Sequence, residues 1–315
     1  MTVAIKENIL LAPYTIYKIG GVARYFVEVH STQELREVLA FAAEKRVPFF
    51  ILGAGSNMLI ADTGYDGMII HMIGGTVRAE GDMLIADAGV MMARAVTEAS
   101  RAGLTGFEWG IGVPGTIGGS VRGNAGCFGS EMKDVVESVE VFDADKNVKH
   151  SMFDKERCEF GYRDSVFKKH PEWIVLSATL KLRHGDPVAI QECVRQITME
   201  RLASQAIGTK SCGCIFKNIA WAREDIDRTT LLARHPDLAQ FSDRFTIPAS
   251  YLIDSADMKG KRVGGAMVSE KHANFFLNEG HATADDVVRL VAETKDAVMK
   301  EYGLALKEEI QYVGF

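Results

Sequence analysis

Two stretches of this 315-residue chain have residue types and spacing suited to holding an anion. Gly53-Ala54-Gly55-Ser56-Asn57 follows a short apolar run, and ten of the 30 glycines fall between Gly103 and Gly129. Glycine costs backbone entropy, so such density needs a cause: a turn with positive φ, or backbone drawn close to a ligand. Successive N–H groups in such turns form concavities for anions, and phosphates are common guests. Neither stretch is a G-x-x-x-x-G-K-[ST] loop. Gly110–Gly115 is spaced like G-x-G-x-x-G, but Pro114 precedes its last glycine and no strand-then-helix context surrounds it. It does not specify a Rossmann fold. A third feature, Cys212-Gly213-Cys214, reads as a buried pair of small side chains or as half of a metal site. No second pair at ligand spacing accompanies it, so no metal is expected.

The elements that must position these residues alternate between helix and strand. Ser31-x-x-Glu34 is a capping-box pattern, followed by Leu35, Val38, Leu39 and Ala42 at helical spacing. Pro48 then opens the strand-like run Phe49–Leu52, which delivers the chain into Gly53. Strands are predicted at Met58–Ile60, Met68–His71 and Met83–Ala86, and a helix at Val90–Ala102 that stops at Gly103. Strand character dominates Val135–Val148 and Trp173–Leu182, and a helix is predicted from Val188 to about Ala203. Residues 204–221 read as loop and as the domain junction. Thr283-x-x-Asp286 starts a last helix that Gly303 ends, and Ile310–Val313 is a terminal strand. The insert Ala220–Phe245 carries no readable motif.

Composition narrows the function classes. At about 100–200 residues per domain, the length predicts two or three domains. The chain has 36 Lys+Arg against 42 Asp+Glu, a formal charge of −6, and 47% hydrophobic residues. Those fractions fit a globular protein and exclude disorder. A net acidic chain is not expected to bind nucleic acid, whose phosphates need a basic face. No apolar run is long enough to span a bilayer, and no signal pattern opens the chain. Five irregularly spaced cysteines do not make a disulfide framework, so a reduced, cytoplasmic protein without membrane attachment is expected. The oligomeric state is not legible.

Seven segments, taken together and in order, resemble one family, the flavin-dependent UDP-N-acetylenolpyruvoylglucosamine reductases, also called UDP-N-acetylmuramate dehydrogenases, of bacterial cell-wall synthesis. They are Tyr14–Ala23, Leu52–Leu59, Gly110–Gly129, Phe160–Lys168, Gly213–Asn218, Lys259–Asn278 and Leu306–Ile310. The resemblance implies an α+β fold. It consists of a two-subdomain FAD-binding module of the vanillyl-alcohol-oxidase-like type over residues 1–203 (subdomains about 1–73 and 74–203), with a C-terminal α+β substrate domain over 204–315. It implies that Gly53, Ala54, Gly55, Ser56 and Asn57, with Gly118, Gly119 and Ser120, hold the FAD pyrophosphate. NADPH is the implied co-substrate, and UDP-N-acetylglucosamine-enolpyruvate the implied substrate, reduced to UDP-N-acetylmuramate.

The same resemblance carries over a catalytic set. Arg163 and Glu309 fall at the positions that stabilise the enolate, and Cys214 at the proton donor's position, which is a serine in most of the family. A free thiol, with a pKa near ~8.5, is mostly protonated at neutral pH and is a stronger acid than an alcohol. The family's L-E-P-E reads Leu306-Lys307-Glu308-Glu309 here, which leaves Glu308 as an alternative. Tyr162, Lys217 and Asn218 fall at substrate-contacting positions, Asn218 on the diphosphate. The family's K-Q-P stretch is replaced by Ser204-Gln205-Ala206, with Lys210 as a candidate substitute charge, and Ile219 stands where a proline is usual. His272 and Asn274 read as structural residues or as secondary candidates for shaping the site, Phe107 and Trp109 as core or flavin-adjacent packing, and His71 has no functional case. Two other functions compete: a sugar or lactone oxidase on the same flavin fold, and a non-catalytic nucleotide- or flavin-binding protein. Tyr162-Arg163, Cys214 and Glu309 argue against both, because neither needs that set.

Overall fold

The computed structural model describes residues 3–145, 149–204 and 208–315. The chain divides into two units: residues 1–9, 22–55 and 65–203 form one, and residues 10–21, 56–64 and 204–315 form the other. A single cut after residue 203 would leave 10–21 and 56–64 on the wrong side. The reason is pairing: strand Met58–Ile60 lies parallel to the C-terminal strand Gln311–Val313, and Tyr17, Ile19 and Leu59 sit in the second unit's core.

Two large sheets dominate the first unit, beside short pairs such as Gly126–Cys127 with Ser130–Glu131. Strands Lys6–Leu10, Val22–Val29, Tyr65–Met72 and Phe49–Leu52 lie side by side in that order, the last three mutually parallel. Parallel strands need a crossover, and helix Thr32–Lys45 supplies it between Val22–Val29 and Phe49–Leu52, which flank Tyr65–Met72. Ser31 caps this helix by accepting from the Glu34 N–H. Glu34 reaches back one residue further than the capping box predicts, to the His30 N–H. Leu35, Val38 and Ala42 are the buried face, at the spacing read from the sequence.

The second sheet is antiparallel, in the order Lys149–Asp154, Val136–Asp143, Trp173–Lys181, Met83–Asp87, Val77–Glu80. Helices Met92–Arg101 and Ile117–Gly123 contribute Met92, Ala95, Val96, Ile117 and Val121 to the core that also holds Leu84, Val139, Ala178 and Leu180 from this sheet. Each fully buried Leu, Ile or Val of this kind is worth about 1.5–3 kcal/mol relative to exposure. Phe107 and Trp109 are part of the same core. Helix Pro187–Ser204 matches the predicted helix to within a residue at each end.

In the second unit, helix Ala284–Tyr302 begins with the predicted capping box, Thr283 accepting from the Asp286 N–H, and ends at Gly303 in the left-handed conformation. It buries Val287, Leu290, Val291 and Val298. A three-stranded sheet, Arg262–Val263, Ala266–Val268 and Phe276–Asn278, lies in the same unit. The insert 220–245 is a folded excursion, closed by pairing of Ile219–Ala220 with Thr246–Ile247. It forms helix Arg228–Arg234 and the 3-10 turn Pro236–Phe241. Trp221, Leu231, Leu238 and Phe241 enter the core, and the Trp221 Nε1–H donates to the Phe241 carbonyl at 3.0 Å. Among the described residues no helix is long and apolar enough to cross a membrane.

Candidate functional site

Strand Phe49–Leu52 delivers Gly53-Ala54-Gly55-Ser56 as a loop, and Gly55 has a φ of +62°. Among the described residues no hydrogen bond engages the amides of these four residues. Gly55 is buried and the other three are partly buried. Backbone N–H groups withdrawn from water are normally paired, so four successive donors without partners among the described residues are what an oxyanion would satisfy. This loop fits a pyrophosphate. Asn57 differs: its Nδ2 donates to the Glu309 carbonyl at 3.3 Å and its own carbonyl accepts from the Gln311 N–H. It ties the loop's end to the C-terminal strand.

The second glycine stretch is built another way. Gly118 N–H donates to the Ala88 carbonyl, Ser120 N–H to the Thr116 carbonyl, and Gly119 N–H to the Thr116 Oγ1. These three expected cradle amides are thus already engaged by the protein. What the stretch provides is close approach. A Cβ on Gly118 would lie 2.8 Å from that of Ala88, and a Cβ on Gly53 would lie 2.7 Å from the Thr116 Oγ1. The two glycine stretches pack against each other where no side chain fits.

His71, dismissed on sequence, is beside this loop. Burial lowers its pKa, while the nearby Glu28 and a hydrogen bond to the Gly53 main chain act in the opposite direction. Nothing in the local sequence marks it, because its neighbour Gly53 comes from another strand.

Arg163 stands in a tight turn in which Gly161 and Asp164 exchange backbone hydrogen bonds. Its φ is +52°, uncommon for a residue with a side chain. The Nη2 donates to the Gly126 carbonyl at 2.7 Å. Asn124, fully buried, anchors the turn: its Nδ2 donates to both the Gly161 carbonyl and Glu131 at 2.7 Å, and its Oδ1 accepts from the Lys133 N–H. Tyr162 is exposed beside Arg163, whose guanidinium carbon lies 5.4 Å from the ring centroid. Cys127 completes the group. Burial raises its thiol pKa, and Arg201, hydrogen-bonded to it, and Arg163 oppose that. Arg201 was not singled out by sequence. No local signal marks it: only the fold sets Arg201 against Gly112, where a Cβ would collide with its side chain.

The second unit gathers the other candidates on one short segment. Residues 214–217 run between two neighbours. On one side Glu309 N–H donates to the Ile215 carbonyl at 2.7 Å and Lys217 N–H to the Lys307 carbonyl at 2.9 Å. On the other, Cys214 bridges Phe275 and Ile215 N–H donates to the Asn274 carbonyl. The Asn274 side chain then acts as a surrogate strand. Its Oδ1 accepts from the Phe216 N–H at 2.9 Å, and its Nδ2 donates to the Phe216 carbonyl at 2.8 Å. Asn274 is 2% exposed, so both bonds are dry.

This pairing sets the Glu309 main chain on Ile215, one residue from Cys214, and separates the two glutamates. Glu308 forms an ion pair with Lys295 at 3.1 Å, whereas Glu309 is felt by the Cys212 thiol. Cys212 is buried, which pushes its pKa far up; Cys214 and Glu309 add to that rise. The Tyr17 hydroxyl lies near Cys212, fully buried and without a hydrogen-bond partner among the described residues. Asn218 accepts the Ala249 N–H at 3.0 Å, which holds the start of helix Ala249–Ser255. Lys217 is half-buried and Lys210 exposed. Gln205 and Ala206 lie outside the described residues. His272 is mostly buried, its pKa lowered by desolvation, against the Phe275 ring.

Comparison with known proteins bears out the resemblance. Residues 23–151 match an FAD-binding domain, and residues 205–313 match the C-terminal domain of UDP-N-acetylenolpyruvoylglucosamine reductase. A UDP-N-acetylenolpyruvoylglucosamine reductase of Synechococcus sp. (strain JA-3-3Ab) is 36% identical over 313 residues, covering 98% of this chain and 91% of that protein. One from Carboxydothermus hydrogenoformans is 36% identical over 310 residues, covering 98% and 93%. A crystal structure of the Thermus caldophilus reductase superposes with a TM-score of 0.77 at 32% identity, covering 99% of each chain.

Proposed function

The chain belongs to the UDP-N-acetylenolpyruvoylglucosamine reductase family, as an FAD-dependent enzyme of peptidoglycan precursor synthesis, and on that premise we propose how its residues divide the work. Bound FAD, reduced by NADPH, supplies the hydride that saturates the enolpyruvyl double bond. The amides of Gly53, Ala54, Gly55 and Ser56 take the FAD pyrophosphate; their lack of protein partners supports this. Gly118, Gly119 and Ser120 complete the cradle as a surface without bulk, which the close packing at Gly118 supports.

Arg163 stabilises the charge that develops on the substrate's carboxylate side. A guanidinium stays charged at any working pH and can grip a carboxylate through two parallel hydrogen bonds. Cys214 donates the proton to the carbon next to the carboxylate, and Glu309 assists from the same side. The observation that carries this assignment is the 2.7 Å bond from the Glu309 N–H to the Ile215 carbonyl, which supports Glu309 over Glu308 as Cys214's neighbour. Lys217 and Asn218 hold the UDP diphosphate, with Tyr162 contributing to substrate contact. The enzyme works in the cytoplasm, where its nucleotide-linked substrate and NADPH are found.

The test is anaerobic turnover with purified protein. A flavin spectrum, NADPH oxidation dependent on UDP-N-acetylglucosamine-enolpyruvate, and UDP-N-acetylmuramate as product are expected. Cys214→Ala should keep reduction of the flavin by NADPH and lose substrate turnover by about 10²-fold or more, the usual worth of a positioned acid. Normal turnover by Cys214→Ala would remove Cys214 from the mechanism.

A further inference from the structure

Cys212 and Cys214 are both thiols, and the residue between them, Gly213, has a φ of +82° with open space where a Cβ would stand. Left-handed backbone at glycine lets the chain turn tightly between the two cysteines. Cys212 is 2% exposed, within the unit's core, whereas Cys214 is only half-buried. The Cys212 thiol responds to charge on Cys214, so the two sulfurs share one neighbourhood. Residues two apart span at most about 7 Å between Cα atoms. A disulfide needs roughly 4.4–6.8 Å, a separation within the reach of a Cys-Gly-Cys segment bent at Gly213.

The other cysteines differ in kind. Cys193 is exposed on helix Pro187–Ser204, Cys158 is buried, and Cys127 is held by the Trp109 carbonyl at 3.1 Å. None has a second cysteine within two positions.

We propose that Cys212-Gly213-Cys214 is an oxidation site, a dithiol that hydroperoxides convert to a reversible disulfide. The Cys214 sulfur attacks the peroxide O–O bond; the peroxide leaves as water or alcohol, and Cys214 becomes a sulfenic acid. The Cys212 sulfur then attacks the Cys214 sulfur, and the sulfenic oxygen leaves as water with the Cys212 proton. Two thiols lose two electrons and two protons in all, and one peroxide is reduced. The order follows from burial: peroxide in solvent reaches Cys214 first, and Cys212, shielded in the core, meets only the oxidised neighbour, to whose departing hydroxyl it passes its proton as the S–S bond forms. The disulfide leaves Cys214 no proton to give. That consequence rests on the proton-donor reading above; the disulfide itself does not.

The test reads mass. The full chain is treated with hydrogen peroxide, remaining thiols are alkylated, and the protein is digested with trypsin. Cleavage after Lys210 and Lys217 releases Ser211–Lys217, which carries both cysteines and no other. The expected peptide is lighter by two hydrogens, refuses alkylation, and regains both thiols with dithiothreitol. In Cys212→Ala the two-hydrogen loss should vanish and dimedone should label Cys214. The proposal is overturned if the wild-type peptide stays doubly alkylated at peroxide doses that oxidise Cys193. It is equally overturned if Cys214 proceeds to sulfinic acid without the two-hydrogen loss. A disulfide that forms while turnover persists supports the oxidation site and removes Cys214 as proton donor.

Discussion

Replacing Asn274 with alanine should disorder the one segment that carries Cys214, Lys217 and Asn218. The Phe216 N–H and carbonyl have a single described partner each, the two ends of the Asn274 amide, at 2.9 and 2.8 Å. Phe216 is 1% exposed, so truncation leaves a donor and an acceptor buried and unpaired. Each such group costs about 1–3 kcal/mol. Allowing one water into the vacated space, the net loss is about 2–4 kcal/mol, or roughly 5–12 °C in melting temperature for a unit of this size. Thermal unfolding of the flavin-loaded enzyme checks the stability, and KM for the UDP substrate checks the position of Lys217 and Asn218. KM should rise more than flavin reduction by NADPH slows. Asn274→Asp separates the two bonds. Its carboxylate can still accept from the Phe216 N–H but faces the Phe216 carbonyl without a donor, so its folded-state pKa is raised. A raised carboxyl binds more protons folded than unfolded, so this variant should gain stability relative to wild type as pH falls from 7 towards 4. Melting of Asn274→Ala within about 1 °C of wild type, or an Asn274→Asp profile parallel to wild type, would refute the surrogate-strand reasoning.

Other outcomes follow from the same geometry. Gly118→Val places side-chain carbon where only 2.8 Å separates Cβ positions, so the purified protein should come off the column with far less flavin absorbance per chain. Glu309→Gln should cut turnover by about 10²-fold, whereas Glu308→Gln, removing only the partner of Lys295, should leave kcat nearly intact and lower the melting temperature slightly. The reverse ranking would exchange their roles. His71 and His272 have lowered pKa values because burial disfavours the imidazolium. The unfolded chain therefore binds more protons below pH ~6.5, and stability should decline as pH falls through that value towards the folded pKa. His71→Gln should flatten the decline, measurable as a smaller change in denaturation midpoint between pH 7.5 and 5.5.

Much of the architecture was legible because local physics and tertiary context agree. The Ser31 and Thr283 caps, the Gly103 and Gly303 stops and the apolar runs around them are short-range signals. Folding preserved them. The insert 220–245 was opaque for the opposite reason. Its helix has seven residues, too short for a periodic stripe, and its order comes from Trp221, Leu231 and Phe241 entering a core built elsewhere. The grouping of 10–21 and 56–64 with the C-terminal segment was likewise hidden, since a three-residue strand gives no sign of its partner.

The two glycine stretches carry the same contrast into the site. Residue type and spacing alone marked both as places where backbone comes close to something, because only glycine tolerates such approach. Only the folded chain shows what each approaches. Among the described residues nothing engages the amides of Gly53–Ser56, while Gly118–Ser120 donates its amides to Ala88 and Thr116 and contributes space. Sequence also named Cys214 and, by its distance from Leu306, favoured Glu309 while leaving Glu308 as an alternative. The folded register adds what separates their surroundings: Phe216 opposite Glu308 puts the Glu309 main chain on Ile215 and leaves Glu308 to Lys295. Chemistry resides in residue types, which a sequence states outright. Adjacency across 94 positions, from Ile215 to Glu309, is decided by hydrogen bonds that exist only once the strands have met.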